Sequence, residues 1–231
     1  MAPLPNSRSF LRIVVVVCWI LAAARTADAG VIIDLGTAGC TGVVCGPLTY
    51  PDGLLTLTAD GGTFTSKTRN GATGLGISGK TRGEIDVNEF VRGSFSSPVA
   101  IDALTILFLY NGGEFNDPNE IAQISINGGA VLGTLIANAE NSAVWSLGGG
   151  VTSCGETSIT GTGCFRIAHP FASTFVSEIA FTALSAGNNL ANDSDFSLGS
   201  IEVATAPEPA ALLLLGAAAL GLVARRRPGS R

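Results

Sequence analysis

The chain has 231 residues, 46% of them hydrophobic, with 30 glycines and a formal charge of −5. That length allows one domain with a real core, or two small ones. The mean hydropathy of +0.43 is high for a soluble protein, but much of the excess sits in two apolar runs at the extreme ends. Seven of the 13 basic residues also lie in the end segments: Arg8, Arg12, Arg25, Arg225, Arg226, Arg227 and Arg231. Between Gly30 and Ala206 there are 6 basic and 16 acidic residues, a net charge of −10. Such a segment lacks the clustered Lys and Arg that phosphate contacts need, so nucleic acid is excluded as a partner. Its charge suits cations or neutral polymers, or serves solubility alone.

Arg8 and Arg12 precede an apolar run over residues 13–24, and Ala27-Asp28-Ala29 follows before Gly30. A basic segment, a short apolar stretch and a small-x-small site make a secretory signal peptide. The expected signal peptide is residues 1–29, handled by the Sec translocon and cut by signal peptidase after Ala27 and Ala29 have marked the site. An uncleaved anchor is the alternative, but about a dozen apolar residues are short for a spanning helix.

Removal of Cys18 with the peptide leaves Cys40, Cys45, Cys154 and Cys164. An exported compartment is oxidising, so disulfides are expected. Three pairings are open in principle. The simplest joins near neighbours, Cys40 with Cys45 and Cys154 with Cys164. A zinc site is the competing use, but no second ligand set of finger spacing is present and His169 is the only histidine.

The middle of the chain is rich in Thr, Val, Ile and Gly, which favours strands and turns over helices. Apolar alternation predicts strands over 31–35, 55–59, 84–87, 90–95, 121–127, 131–137, 143–147, 175–183 and 196–204. Residues 99–110 are strongly apolar and read as a central strand covered on both faces. The Gly-, Ser- and Thr-rich stretch 65–80 reads as a loop. Turn clusters such as Asp60-Gly61-Gly62, Asn127-Gly128-Gly129 and Gly148-Gly149-Gly150 punctuate the strands. The expected fold is all-β, a β-sandwich or jelly roll over residues 30–205.

Three acidic clusters stand in this region: Glu84, Asp86 and Glu89; Asn116-Asp117-Pro118-Asn119-Glu120; and Asn192-Asp193-Ser194-Asp195. If residues 84–86 are a strand, both acids point to one sheet face, which reads as a solvated face. Calcium takes six to eight hard oxygen ligands. Asn116, Asp117, Asn119, Glu120, Asp193 and Asp195 have the right composition for a structural Ca2+. None follows the twelve-residue EF-hand pattern, and Asn and Asp favour turns for local reasons as well. No other cofactor is implied. Hydrolase chemistry finds little: one histidine before a proline, no G-x-S-x-G elbow and no phosphate loop. The domain is therefore expected not to be an enzyme. Tyr50, Tyr110 and Trp145 are its only Tyr and Trp residues, a poor supply of platforms for stacking sugars.

The C-terminal end carries three parts in order. Pro207-Glu208-Pro209 holds the chain extended. Residues 210–224 are small or apolar with no charge, about 22 Å of helix at 1.5 Å per residue. Arg225, Arg226 and Arg227 then form a stop-transfer cluster that stays on the cytoplasmic side and leaves the body of the protein outside. This tail resembles the PEP-CTERM sorting signal of Gram-negative bacteria. The resemblance implies recognition by exosortase, a membrane protease-transpeptidase, with processing near Pro207, Glu208 and Pro209. It also implies a transient anchor in the inner membrane and a destination at the cell surface or in an exopolysaccharide matrix. More loosely, Gly74-Leu75-Gly76-Ile77, Gly83-Glu84-Ile85-Asp86 and Glu89-Phe90 resemble domains that often precede such tails, whose sandwich shape is similar to carbohydrate-binding modules.

Three segments are thus expected: a signal peptide over 1–29, a β-sandwich over 30–205 and a sorting segment with a transmembrane helix over 206–231. The function expected is that of a non-catalytic structural or interaction protein of the envelope or extracellular matrix. A calcium- or polysaccharide-binding module is the alternative.

Overall fold

A computed structural model describes residues 30–36, 40, 45–50, 53–112, 119–155, 163–186 and 194–205. The expected signal peptide, the apolar tail run and the PEP motif lie outside the described residues. So do Asn116, Asp117 and Asp193 of the calcium expectation. No described helix is long and apolar enough to cross a membrane. All described residues fall in one compact unit, Gly30–Thr205.

The unit is all-β. Its strands are β1 (Val31–Asp34), β2 (Leu48–Thr49), β3 (Leu55–Asp60), β4 (Phe64–Arg69), β5 (Ala72–Ile77), β6 (Ile85–Asp86), β7 (Phe90–Leu107), β8 (Ile121–Ile126), β9 (Val131–Ala139), β10 (Ser142–Trp145), β11 (Gly150–Ser153), β12 (Cys164–Ala168), β13 (Phe175–Leu184) and β14 (Asp195–Thr205). They make one continuous antiparallel sheet, whose main path runs β10-β9-β8-β13-β7-β14-β5-β4.

The 18-residue strand β7 makes the sheet curl. Its first half pairs with β3 and β13, and its second half with β14 and β12. The exchange of neighbours falls at Ser96-Ser97-Pro98. Proline has no amide to give, so it fits where a strand leaves one set of partners for another. The two strands expected over 90–95 and 99–110 are therefore one. The core follows the alternation: Leu55, Leu57, Val91, Ile124, Ile179 and Phe181 are buried in one cluster with Ile101, Ile106, Ile167, Ile201 and Val203.

The stretch 65–80, expected as a loop, is the hairpin β4–β5. Its turn is Asn70-Gly71, with φ of 48° and 83°, the left-handed pair that a tight two-residue hairpin needs. The glycines that weakened the strand pattern have a packing role. A side chain at Gly74 would meet Ser197, and one at Gly76 would meet the Gly83 backbone. The segment before β6 can thus lie directly on β5, and Ser197 Oγ donates to the Gly83 carbonyl at 2.6 Å.

Cys40 pairs with Cys45 and Cys154 with Cys164, at Cα separations of 5.8 and 5.2 Å. The second pair ties β11 to β12. It also borders a small apolar cluster of Leu107, Phe108, Tyr110 and Cys164. Lys67 lies over the Phe108 ring at 5.2 Å and Arg69 over Tyr110 at 5.8 Å, so two of the few cations cover aromatic faces.

Candidate functional site

The acidic residues singled out in the sequence are mostly absorbed by the fold. Glu84 and Asp86 are not on a solvated face: they are 1% and 2% exposed. Because β6 is only two residues long and lies between β14 and the β5 glycines, Asp86 and the preceding Glu84 are both covered. Glu84 pairs with Lys67. Asp86 stands opposite Asp195 in the β6–β14 register and accepts from the amide and hydroxyl of Thr81 at 2.6 and 3.0 Å. Burial, reinforced by the charges of Glu84 and Asp86, pushes the Asp195 carboxyl up to about 8. Burial also raises Glu84, against the opposing pull of Lys67. Glu89 caps the local turn, its carboxylate accepting from Asp86 N at 3.0 Å.

Glu120 is turned inward, 2% exposed, and its carboxylate accepts the Tyr110 amide. Asn119 bridges to Asn111 across the base of the same excursion. Among the described residues no three His, Cys, Asp or Glu side chains are arranged to hold a metal ion.

His169 occupies a turn at φ 47° with a 73% exposed side chain; its Nδ1 is 3.9 Å from Asp102. Trp145 is in the core rather than on a binding surface. Its indole N–H donates to the Pro170 carbonyl at 2.9 Å, and its ring meets Phe171 edge-on at 6.0 Å. Tyr50 and Tyr110 are also buried. No Trp or Tyr among the described residues offers a platform to a sugar.

A site missed by the sequence reading lies on the outer face of β3, β7, β13 and β8. A groove of about 390 Å³ there is lined by Thr58, Arg92, Ser94, Ser125 and Glu178, with the Asn127-Gly128-Gly129 turn at one end. Thr58, Arg92, Ala180 and Ser125 share one cross-strand row. Ser94 and Glu178 face each other in the adjacent row. The small Ala180 between longer neighbours makes the floor. Asn127 locks the end wall: its Oδ1 accepts from Ser177 N and its Nδ2 donates to the Phe175 carbonyl, both at 2.9 Å. Arg92 lies over the Phe90 ring at 4.9 Å. Alternation revealed that these residues face outward, but only the strand register places them side by side.

Residues 205–227 match the family model for the PEP-CTERM protein-sorting motif. The motif indicates a protein sorted through exosortase to the cell envelope of a Gram-negative bacterium. No curated protein matches the chain.

Proposed function

We propose that the β unit, exported by way of its signal peptide and held briefly in the inner membrane by residues 210–224, is a non-catalytic structural and interaction module of the cell surface or extracellular matrix. The sorting motif carries this reading: it begins where β14 ends, so the sheet leads directly into the segment that exosortase processes. The acidic side chains support it too, because Glu84 pairs with Lys67 while Glu89 and Glu120 accept from backbone amides.

The test is to express the full chain in an exosortase-bearing host and in the same host lacking exosortase. The expected result is a shortened protein outside the inner membrane in the first, and full-length protein in the inner membrane in the second. Equal processing and release in both hosts would overturn the sorting route. Release of reducing ends from polysaccharides incubated with the processed protein would overturn the non-catalytic role. A polysaccharide-binding role is favoured by the outer-face groove; no observation of comparable weight favours calcium.

A further inference from the structure

We propose that the groove over β3, β7, β13 and β8 binds a neutral polysaccharide chain, read by Arg92 and Glu178 together with the hydroxyls of Thr58, Ser94 and Ser125. This deepens the interaction role above and rests on it.

Arg92 and Glu178 sit on adjacent strands in adjacent rows of one groove, yet they form no ion pair with each other. Arg92 has the Phe90 ring as its contact, and among the described residues no carboxylate lies within ion-pair distance of it. Among the described residues the Glu178 side chain likewise has no cation at that distance. By contrast, the other half of the sheet pairs Arg166 with Glu202 through two hydrogen bonds of 2.9 and 2.7 Å. The groove thus keeps five donors on Arg92 and an acceptor-only carboxylate available side by side. Sugar hydroxyls both donate and accept, so vicinal hydroxyls match a neighbouring guanidinium and carboxylate. The flanking Ser and Thr hydroxyls add groups that can serve in either sense.

Charge decides which glycan. The groove carries one cation and one anion and is set in a segment of net charge −10. An anionic polymer gains from Arg92 but is repelled by Glu178 and by the surrounding field. A neutral one meets no such penalty. Geometry argues against a peptide. β7, β13 and β8 are hydrogen-bonded on both sides, so the strands that make the floor offer no free edge, and the floor offers no deep apolar pocket for an anchoring side chain. The groove volume lies within the range of about 300–1,000 Å³ usual for ligand sites. The Asn127 bonds hold the end wall in place before binding, which reduces the ordering cost.

The test is affinity electrophoresis of the processed protein, taken from the exosortase-bearing host, through native gels containing dextran, hydroxyethylcellulose or galactomannan. Gels with alginate or gelatin serve as the anionic and polypeptide arms. The expected result is retardation by at least one neutral polymer, with little or none by alginate or gelatin. Arg92→Ala and Glu178→Gln should each weaken retardation about tenfold, the loss of a hydrogen bond to a charged group. Ser94→Leu should abolish it by filling the groove with an apolar, non-aromatic side chain while keeping both charges. Unchanged circular dichroism and melting would show each variant folded. No retardation in any neutral gel would overturn the proposal. So would equal retardation of the wild type and Ser94→Leu, or stronger retardation by alginate or gelatin. If protein is processed and released but not retarded, the binding site fails while the sorting reading stands.

Discussion

At the residue scale, the buried cluster of Glu84, Asp86 and Asp195 makes stability depend on pH in a stated direction. In the unfolded chain an aspartate loses its proton near its ordinary value of about 3.9. In the folded protein Asp195 keeps its proton until about pH 8. Between those limits the unfolded state binds fewer protons, so this group's contribution is complete below about pH 4 and is lost as pH rises through 8. Asp195→Asn imitates the protonated acid at every pH. It should raise the melting temperature at pH 8.5 by about 5 °C, corresponding to about 2 kcal/mol, and change it little at pH 4. Melting curves at the two pH values check this; equal shifts at both would show that the effect is not protonation. The sequence identified the three acids but read two of them as solvated. It could not show that Gly74 and Gly76 admit the neighbouring segment close enough to bury Glu84 and Asp86.

At the element scale, the packing of β9 against β10 turns on Gly133. A Cβ there would run into the six-membered ring of Trp145, which lies against the strand at that point. Gly133→Ala should therefore destabilise by about 2 kcal/mol through overpacking, about 6 °C in melting temperature for a domain of this size. Trp145→Phe in the same chain should recover part of that loss, because the smaller ring clears the new methyl group. A single variant as stable as wild type would refute the packing argument. Strand existence was legible wherever the alternation was clean, as at 121–126 and 175–183. It was not legible in β4–β5, where glycine thinned the pattern, nor in β11 and β12, which are short and joined across the Cys154–Cys164 pair. Asn70-Gly71 is a hairpin dipeptide that the Gly-, Ser- and Thr-rich composition around it obscures.

At the scale of the whole molecule, β1 runs antiparallel to β14 with Val31 opposite Val203. The first described residue and the strand that enters the sorting motif therefore meet at one end of the sheet. Only Ala206 separates the end of β14 from Pro207. Replacing Pro207-Glu208-Pro209 with three alanines removes both helix-disfavouring prolines. It should leave the protein full-length and membrane-bound in an exosortase-bearing host, as judged by immunoblots of membrane and released fractions. Trimming and release at the wild-type rate would show that the tail is only an anchor.

The sequence by itself determined the sorting motif and the all-β class, and made local cysteine pairing the simplest of three. Each depends on residues close together in the chain: an ordered Pro-Glu-Pro, apolar and arginine series; a period of two in short runs; and cysteines 5 and 10 residues apart. Only the tertiary structure decided which polar residues are spent and which remain available. Glu120 and Glu84 are consumed by contacts with Tyr110 and Lys67. Arg92 and Glu178, 86 positions apart in the chain, are left facing one groove because β7 and β13 pair in a register that the bulge between Val176 and Glu178 adjusts. Strand register is set by non-local packing of both faces, and alternation within a single strand carries no record of its neighbour.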